Sequence, residues 1–121
     1  IFASNDGGQS WTCRGPVTPS RHMPAHLLQL RDESILLTYG VRLRGMLGVY
    51  ASISRDDGIT WDDPRVLFNT PAYQSDTSSK GTDGGYPSSV QLADGTILTA
   101  YYCQRMPMHQ RYHMGVVLWQ D

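Results

Sequence analysis

The amino-acid sequence predicts an all-β fold, and three features favour that class. Lys and Glu, which support helices, each occur once in 121 residues, as Lys80 and Glu33. The chain holds 12 Gly and 7 Pro residues, which is typical of a chain with many turns. Short segments rich in β-branched and aromatic residues alternate with turns of Asp, Gly and Pro, as antiparallel strands do.

Seven of these segments predict strands. The first four form one set, and the last three begin a second set of the same kind. The predicted strands cover residues 25–30, 34–39, 48–54, 61–68, 86–92, 96–103 and 114–119. The last strands of a preceding unit are expected before residue 20.

The chain also repeats itself, which indicates a fold assembled from similar units. The motif S-x-D-x-G-x-[ST]-W occurs over residues 4–11 and again 50 residues later, over residues 54–61. Residues 28–36 likewise resemble residues 90–98, and this larger offset of 62 predicts an enlarged loop at residues 69–85. Four antiparallel strands in about 50 residues are typical of one β-propeller blade.

We therefore predict a partial β-propeller of about two and a half four-stranded antiparallel blades, forming a single unit over residues 1–121. Residues 1–20 end one blade, residues 21–68 form a complete blade, residues 69–85 are the enlarged loop, and residues 86–121 form a partial last blade. A partial propeller is expected to be a piece of a longer protein, because propellers have at least about four blades.

Charge and hydropathy narrow the function classes. Ten basic and 11 acidic residues give a formal net charge of −1, so the sequence predicts no nucleic-acid partner. No apolar run reaches the roughly 20 residues of a membrane-spanning helix, and no leader peptide is visible. Cys13 and Cys103 are far apart and are either free thiols or one disulfide.

The repeated motif predicts a structural turn. Its Asp accepts hydrogen bonds from the backbone of its own turn, its Gly adopts positive φ, and its Trp is expected to pack between sheets. Residues with this structural role are Ser4, Asp6, Gly8, Trp11, Ser54, Asp56, Gly58 and Trp61. Hairpin order places these turns at one end of the sheets and Tyr86 and all four His residues at the other, which is the predicted functional end.

Both motifs resemble the Asp-boxes, or BNR repeats, of the sialidase (neuraminidase) superfamily, whose sialidases are six-bladed propellers. Residues 85–99, GYPSSVQLADGTILT, are similar to the final blade of bacterial sialidase-like proteins, and residues 22–28 and 36–42 to the blade before it. The resemblance implies the C-terminal part of an exo-glycosidase that hydrolyses terminal sialic acid or a related acidic sugar. A non-catalytic glycan- or protein-binding propeller, and a glycosidase or lyase for another sugar, are the alternatives.

The resemblance implies that Tyr86 is the nucleophile of a retaining mechanism. A phenol suits this role because an anionic carboxylate nucleophile would be repelled by the carboxylate of the sugar. The alternative is that Tyr86 has no catalytic role and its side chain only occupies the start of a strand.

The same resemblance implies that Arg42 and Arg44 bind substrate, since the planar guanidinium of either residue can bind a carboxylate through two hydrogen bonds. His22 and His26, which an even spacing would place on one face of a strand, and Asp83 are expected to shape the pocket. Solvated or buried side chains with no role are the alternative for each. No metal site and no cofactor are predicted.

A sialidase also needs an acid/base Asp, a Glu beside the Tyr, and further Arg residues. Glu33, the only Glu, falls at the wrong end, so these groups are expected from the N-terminal blades of the same protein, and the 121 residues alone are expected to be inactive. The predicted partners are a glycan substrate and those blades. A glycan substrate favours a secreted or periplasmic location.

Overall fold

The structure, a computed structural model, describes residues 1–43, 46–70, 84–103 and 112–121. These ranges contain nine β-strands and no helix, and the strands form three antiparallel sheets. The prediction of an all-β fold is therefore confirmed.

The three sheets follow the chain in order. The first sheet pairs β1 (Phe2–Ala3) with β2 (Thr12–Cys13). The second sheet has four strands in sequence order, and the third has three. Their strands are β3 (His22–Gln29), β4 (Ile35–Leu43), β5 (Met46–Ser54) and β6 (Arg65–Thr70), then β7 (Gly84–Gln91), β8 (Ile97–Cys103) and β9 (His113–Trp119).

All seven predicted strands occur, with different bounds at the end predicted to be functional. Strands β3, β4 and β7 begin or end several residues closer to that end than the sequence indicates, because backbone pairing continues into segments predicted as turns. Strand β6 begins at Arg65 and not at Trp61, since Pro64 has no N–H for a ladder bond. Residues 71–83 of the enlarged loop lie outside the described residues, and Asn69, Thr70, Gly84 and Gly85 belong to strands.

Strand β4 is buried on both faces and forms the centre of the fold. Leu36 is 0% exposed and packs with Ile53 and Ile97 between the second and third sheets. On the opposite face, Tyr39 packs in a cluster that includes Val17, from the link after the first sheet. Alternating side chains of one strand thus contact a different neighbour on each side.

A chain of buried hydroxyl groups joins the second and third sheets. The Ser89 hydroxyl lies 3.1 Å from the Thr38 hydroxyl and 2.9 Å from that of Thr99. The Trp119 indole N–H donates to Thr99 Oγ1 at 3.0 Å. Buried hydroxyl groups are costly without partners, so these bonds fix how the two sheets pack.

The backbones of the two sheets approach each other closely where two glycines meet. A Cβ atom on Gly85 would lie 3.1 Å from the Cα of Gly40, and the φ of Gly85 is +99°. Both the space and the backbone conformation therefore require glycine at position 85. This contact sets the position of the next residue, Tyr86.

The two repeats of the motif form nearly identical turns. In the second, the Asp56 carboxylate accepts bonds from the Thr60 hydroxyl at 2.5 Å and from the Thr60 N–H at 2.8 Å. These bonds lower the pKa of Asp56 from 3.8 to about 2. Asp6 makes the equivalent bonds to Ser10, which hold its pKa far below its ordinary value. The motif residues are thus occupied by their own turns.

The two Trp residues of the motif differ in their surroundings. Trp61 packs against the cluster around Tyr39, whereas Trp11 is 62% exposed. The expectation that both pack between sheets is therefore wrong for Trp11. Each indole still donates to its own turn, to the carbonyl of Gly8 or Gly58. This hydrogen bond gives each Trp a structural role in its turn that does not require burial of the ring.

Candidate functional site

The register of the second sheet separates its two ends. Ser54, which begins the second motif, pairs with Ile35 at the start of β4, and Arg42 pairs with Leu47 near the other end. Arg31 donates to the carbonyl of Ala93 at the Ser54 end, so the first turns of the second and third sheets also meet there. Arg42 therefore lies at the end opposite Asp56.

Tyr86 and Arg42 contact each other at that end. The guanidinium carbon of Arg42 lies 5.0 Å from the centroid of the Tyr86 ring, which is cation–π distance. Its Nη2 donates to the carbonyl of Gly84 at 3.3 Å, and the Arg42 backbone N–H donates to the Arg21 carbonyl at 3.1 Å. The side chain thus bridges from β4 to the first residue of β7.

Tyr86 has an unusual backbone for a bulky residue. Its φ is +45°, a region that costs a non-glycine residue about 1–3 kcal/mol. The register of β7 against β8 shifts between Gly85 and Ser88, and this irregularity turns Tyr86 outward, where it is 54% exposed. A strained, exposed Tyr beside a cation is an arrangement that core packing does not require.

The structure separates the two predicted pocket histidines. His26 pairs with Thr38 and accepts a 3.3 Å bond at Nδ1 from the Ser89 N–H, so it lies between the second and third sheets. His22 instead stacks on Tyr39, with ring centroids 5.6 Å apart. The expectation that both lie on one face of a strand is wrong, because the register of β3 shifts between His22 and Ala25.

His22 is nevertheless unusual among the described side chains. Both ring nitrogens are buried, and within the described ranges neither has a hydrogen-bond partner. His22 pairs with Val41, one residue before Arg42, so it lies at the same end of the sheet as Tyr86. It faces the Tyr39 side of β4, and His26, Thr38 and Ser89 are on the other side.

Sequence reasoning missed a group of side chains on β8 and β9. The Tyr102 ring lies 5.2 Å from the Tyr86 ring and 5.6 Å from the Tyr112 ring, between centroids. Cys103 Sγ lies 2.9 Å from Nε2 of His113, its register partner. Burial raises the pKa of the Cys103 thiol, so the sulfur stays protonated beside the imidazole. In the sequence, only the expected pairing of β8 with β9 could have indicated that these side chains lie close together.

Both cysteines are free: Cys13 is exposed and Cys103 is buried. Two predicted site residues, Arg44 and Asp83, lie outside the described residues, as does His109. Among the residues that are described, no group of three or more His, Cys, Asp or Glu side chains could hold a metal ion. The same ranges contain no helix long and apolar enough to cross a membrane.

Comparison with known proteins gives a likeness to a solved structure. No family model matches the chain, and no curated protein does. Among solved structures, the chain is similar to the crystal structure of a protein of unknown function from Dyadobacter fermentans DSM 18053, with 30% identity and a TM-score of 0.64. The match covers 99% of this chain and 30% of that one, so the chain spans less than a third of the length of that structure.

Proposed function

We propose that the chain forms part of a sialidase-like exo-glycosidase that hydrolyses a terminal acidic sugar, with Tyr86 as nucleophile and Arg42 as a ligand of the sugar carboxylate. One observation carries the proposal: Arg42 lies over the ring of a strained, exposed Tyr86. Both side chains lie at the end of the sheets away from Asp56. A guanidinium can bind a planar carboxylate through two parallel N–H donors.

The chemistry that these residues would perform is a double displacement. A base takes the Tyr86 hydroxyl proton, the phenolate oxygen bonds to the anomeric carbon, and the glycosidic C–O bond breaks as an acid protonates the leaving oxygen. Water then attacks the anomeric carbon and releases the Tyr86 oxygen, which regains a proton. Two inversions retain the anomeric configuration. The acid and the base would come from outside these 121 residues.

The proposal includes a propeller in which a further sheet covers the third sheet. Leu98 is the repeat equivalent of Leu36, which the third sheet buries completely. Leu98 lies on the opposite face of β8 from Ile97, and around it an apolar face is left exposed. The exposed side chains are Val90, Met114, Val116 and Leu118, from 49% to 74%. The repeat thus supports another blade on this face.

A non-catalytic glycan-binding propeller is the second candidate, and one observation favours it. The only Glu, Glu33, lies in the turn between Leu30 and Ser34, at the Asp56 end. Within this chain no Glu is therefore available to deprotonate Tyr86. The catalytic proposal needs that carboxylate from another part of the protein.

The test is hydrolysis of a fluorogenic sialoside by the full-length protein and two variants. Tyr86→Phe removes only the nucleophilic oxygen, so kcat should fall by at least about 10³-fold. Arg42→Lys keeps the charge but loses the bidentate fork, so KM should rise about 10- to 100-fold. Arg55→Lys, at the opposite end, is the matched control and should leave both constants unchanged.

The outcomes separate the candidates. Full activity in Tyr86→Phe would discard Tyr86 as nucleophile. If the wild-type protein releases no fluorophore but binds sialosides, and Arg42→Lys weakens that binding, the glycan-binding candidate replaces the enzyme. Absence of both turnover and binding would overturn the assignment of an acidic sugar.

A further inference from the structure

Tyr86 needs support that its own backbone does not give. It is half exposed and follows Gly84 and Gly85, neither of which offers a side chain to pack against. An exposed aromatic side chain in such a place would exchange among rotamers on a ps–ns timescale. A nucleophile in that state would seldom meet the reacting carbon in the correct geometry.

Two contacts on the ring of Tyr86 come from different sheets. Arg42 reaches it from β4 in the second sheet, at 5.0 Å from the centroid. Tyr102 reaches it from the neighbouring strand β8, at 5.2 Å between ring centroids and an interplanar angle of 33°. This ring separation lies within the range of favourable aromatic pairs.

The register explains why Tyr102 can reach Tyr86. The ladder partner of Tyr102 is Gly85, whose lack of a side chain leaves room beside the Tyr102 ring. The irregularity that follows Gly85 brings Tyr86 out toward that space. Tyr112 meets the Tyr102 ring edge-on at 5.6 Å and 61°, so it supports Tyr102 in turn.

We infer that Tyr102 is a positioning residue for Tyr86: its ring holds the Tyr86 ring in the orientation in which Arg42 lies over it. The inference rests on the proposed function for its catalytic meaning. The positioning itself is a property of the folded chain and can be measured without turnover. Tyr102 would act through its ring, and its hydroxyl would be dispensable for this role.

The first measurement is ¹⁹F NMR of the protein labelled with 3-fluorotyrosine, with the Tyr86 resonance assigned from Tyr86→Phe. Tyr102→Ala should move this resonance toward the position of an unfolded chain and narrow it, because ring contact and immobilisation are lost. Tyr102→Phe keeps the ring and should leave the Tyr86 signal in place. Tyr112→Ala removes the ring that supports Tyr102, so it should move the Tyr86 signal in the same direction as Tyr102→Ala but less far.

The second measurement is the kinetic split with the fluorogenic sialoside. Tyr102→Ala should lower kcat about tenfold, the size of one aromatic contact, with KM within about twofold of the wild type. Tyr102→Phe should restore kcat. If Tyr102→Ala fails to fold by circular dichroism, Tyr102→Leu keeps an apolar side chain and replaces it in both measurements.

The two measurements fail independently. An unchanged Tyr86 resonance in Tyr102→Ala would overturn the positioning role whatever the activity. If the NMR result is as expected but the wild type hydrolyses no sialoside, the positioning holds and the proposed function fails. Loss of kcat in Tyr102→Phe equal to that in Tyr102→Ala would show that the hydroxyl matters and would contradict the role given to the ring.

Discussion

The meeting of Gly85 with Gly40 gives a prediction whose size follows from the structure. Alanine at position 85 would adopt a φ of +99° and place its Cβ 3.1 Å from the Gly40 Cα. Gly95 provides the matched control, because its φ is +90° but nothing lies within 4 Å of the position of a Cβ. Both substitutions restrict the unfolded chain equally, so their difference isolates the close approach.

The expected costs come from two separate effects. The left-handed conformation should cost about 1–2 kcal/mol in both variants. Only Gly85→Ala adds the overpacking of one backbone against another, which costs about 1–3 kcal/mol because a main chain cannot move aside like a flexible side chain. We therefore expect Gly95→Ala to lose about 1–2 kcal/mol of the free energy of unfolding and Gly85→Ala about 2–5 kcal/mol.

Urea unfolding followed by tryptophan fluorescence measures both variants against the wild type. The free energy of unfolding is obtained from the midpoint and the slope. If the losses of the free energy of unfolding in Gly85→Ala and Gly95→Ala agree within about 0.5 kcal/mol, the reasoning is refuted, because the contact between β7 and β4 would then impose no steric constraint. A larger loss in Gly95→Ala would contradict it outright.

Three further predictions concern the turns, the sheet interface and the thiols. Because the pKa of Asp56 is lowered to about 2, the ionised carboxylate stabilises the folded state fully above about pH 4, and this stabilisation is lost as the pH falls toward 2. In thermal melts at pH 2–7, Asp56→Asn should therefore show a smaller fall in melting temperature at acid pH than the wild type. Ser89→Ala should cost about 1–3 kcal/mol in urea unfolding, since the buried Thr38 hydroxyl loses its bond to Ser89 and Thr99 keeps only the Trp119 N–H. Exposed Ser88→Ala is the control and should stay within about 0.5 kcal/mol of the wild type. A chromogenic disulfide reagent should react quickly with exposed Cys13 and should reach buried Cys103 only when the protein unfolds. Peptide mapping identifies the modified residue, and two fast-reacting thiols would contradict the burial of Cys103.

The strand order and the turns could be predicted from the sequence because they rest on local chemistry. The carboxylate of Asp56 bonds to residues three and four positions ahead, so a pattern of eight letters contains the whole turn. The strands likewise alternate with Gly, Pro and Asp turns that are visible in the sequence. Their ends were less accurate, since ladder pairing at Arg42 or Gly84 depends on a partner strand and not on local residues.

Contacts between strands distant in the sequence account for what could not be predicted. A shift of register between His22 and Ala25 sends His22 and His26 to opposite faces, and no periodicity reveals such a shift in advance. The contact of Tyr102 with Tyr86 depends equally on the irregularity after Gly85. Resemblance led to Tyr86 and Arg42 one at a time, and only the fold brings their side chains together.

The central claim is that the oxygen of Tyr86 bonds to the anomeric carbon of an acidic sugar. The most direct measurement is mass spectrometry of the full-length protein after incubation with a fluorinated sialosyl fluoride, which forms a long-lived glycosyl-enzyme with a retaining sialidase. We expect one added fluorosialyl group on the peptide that contains Tyr86, and none in Tyr86→Phe. An adduct on a different residue, or no adduct at all, would contradict the assignment of Tyr86 as nucleophile.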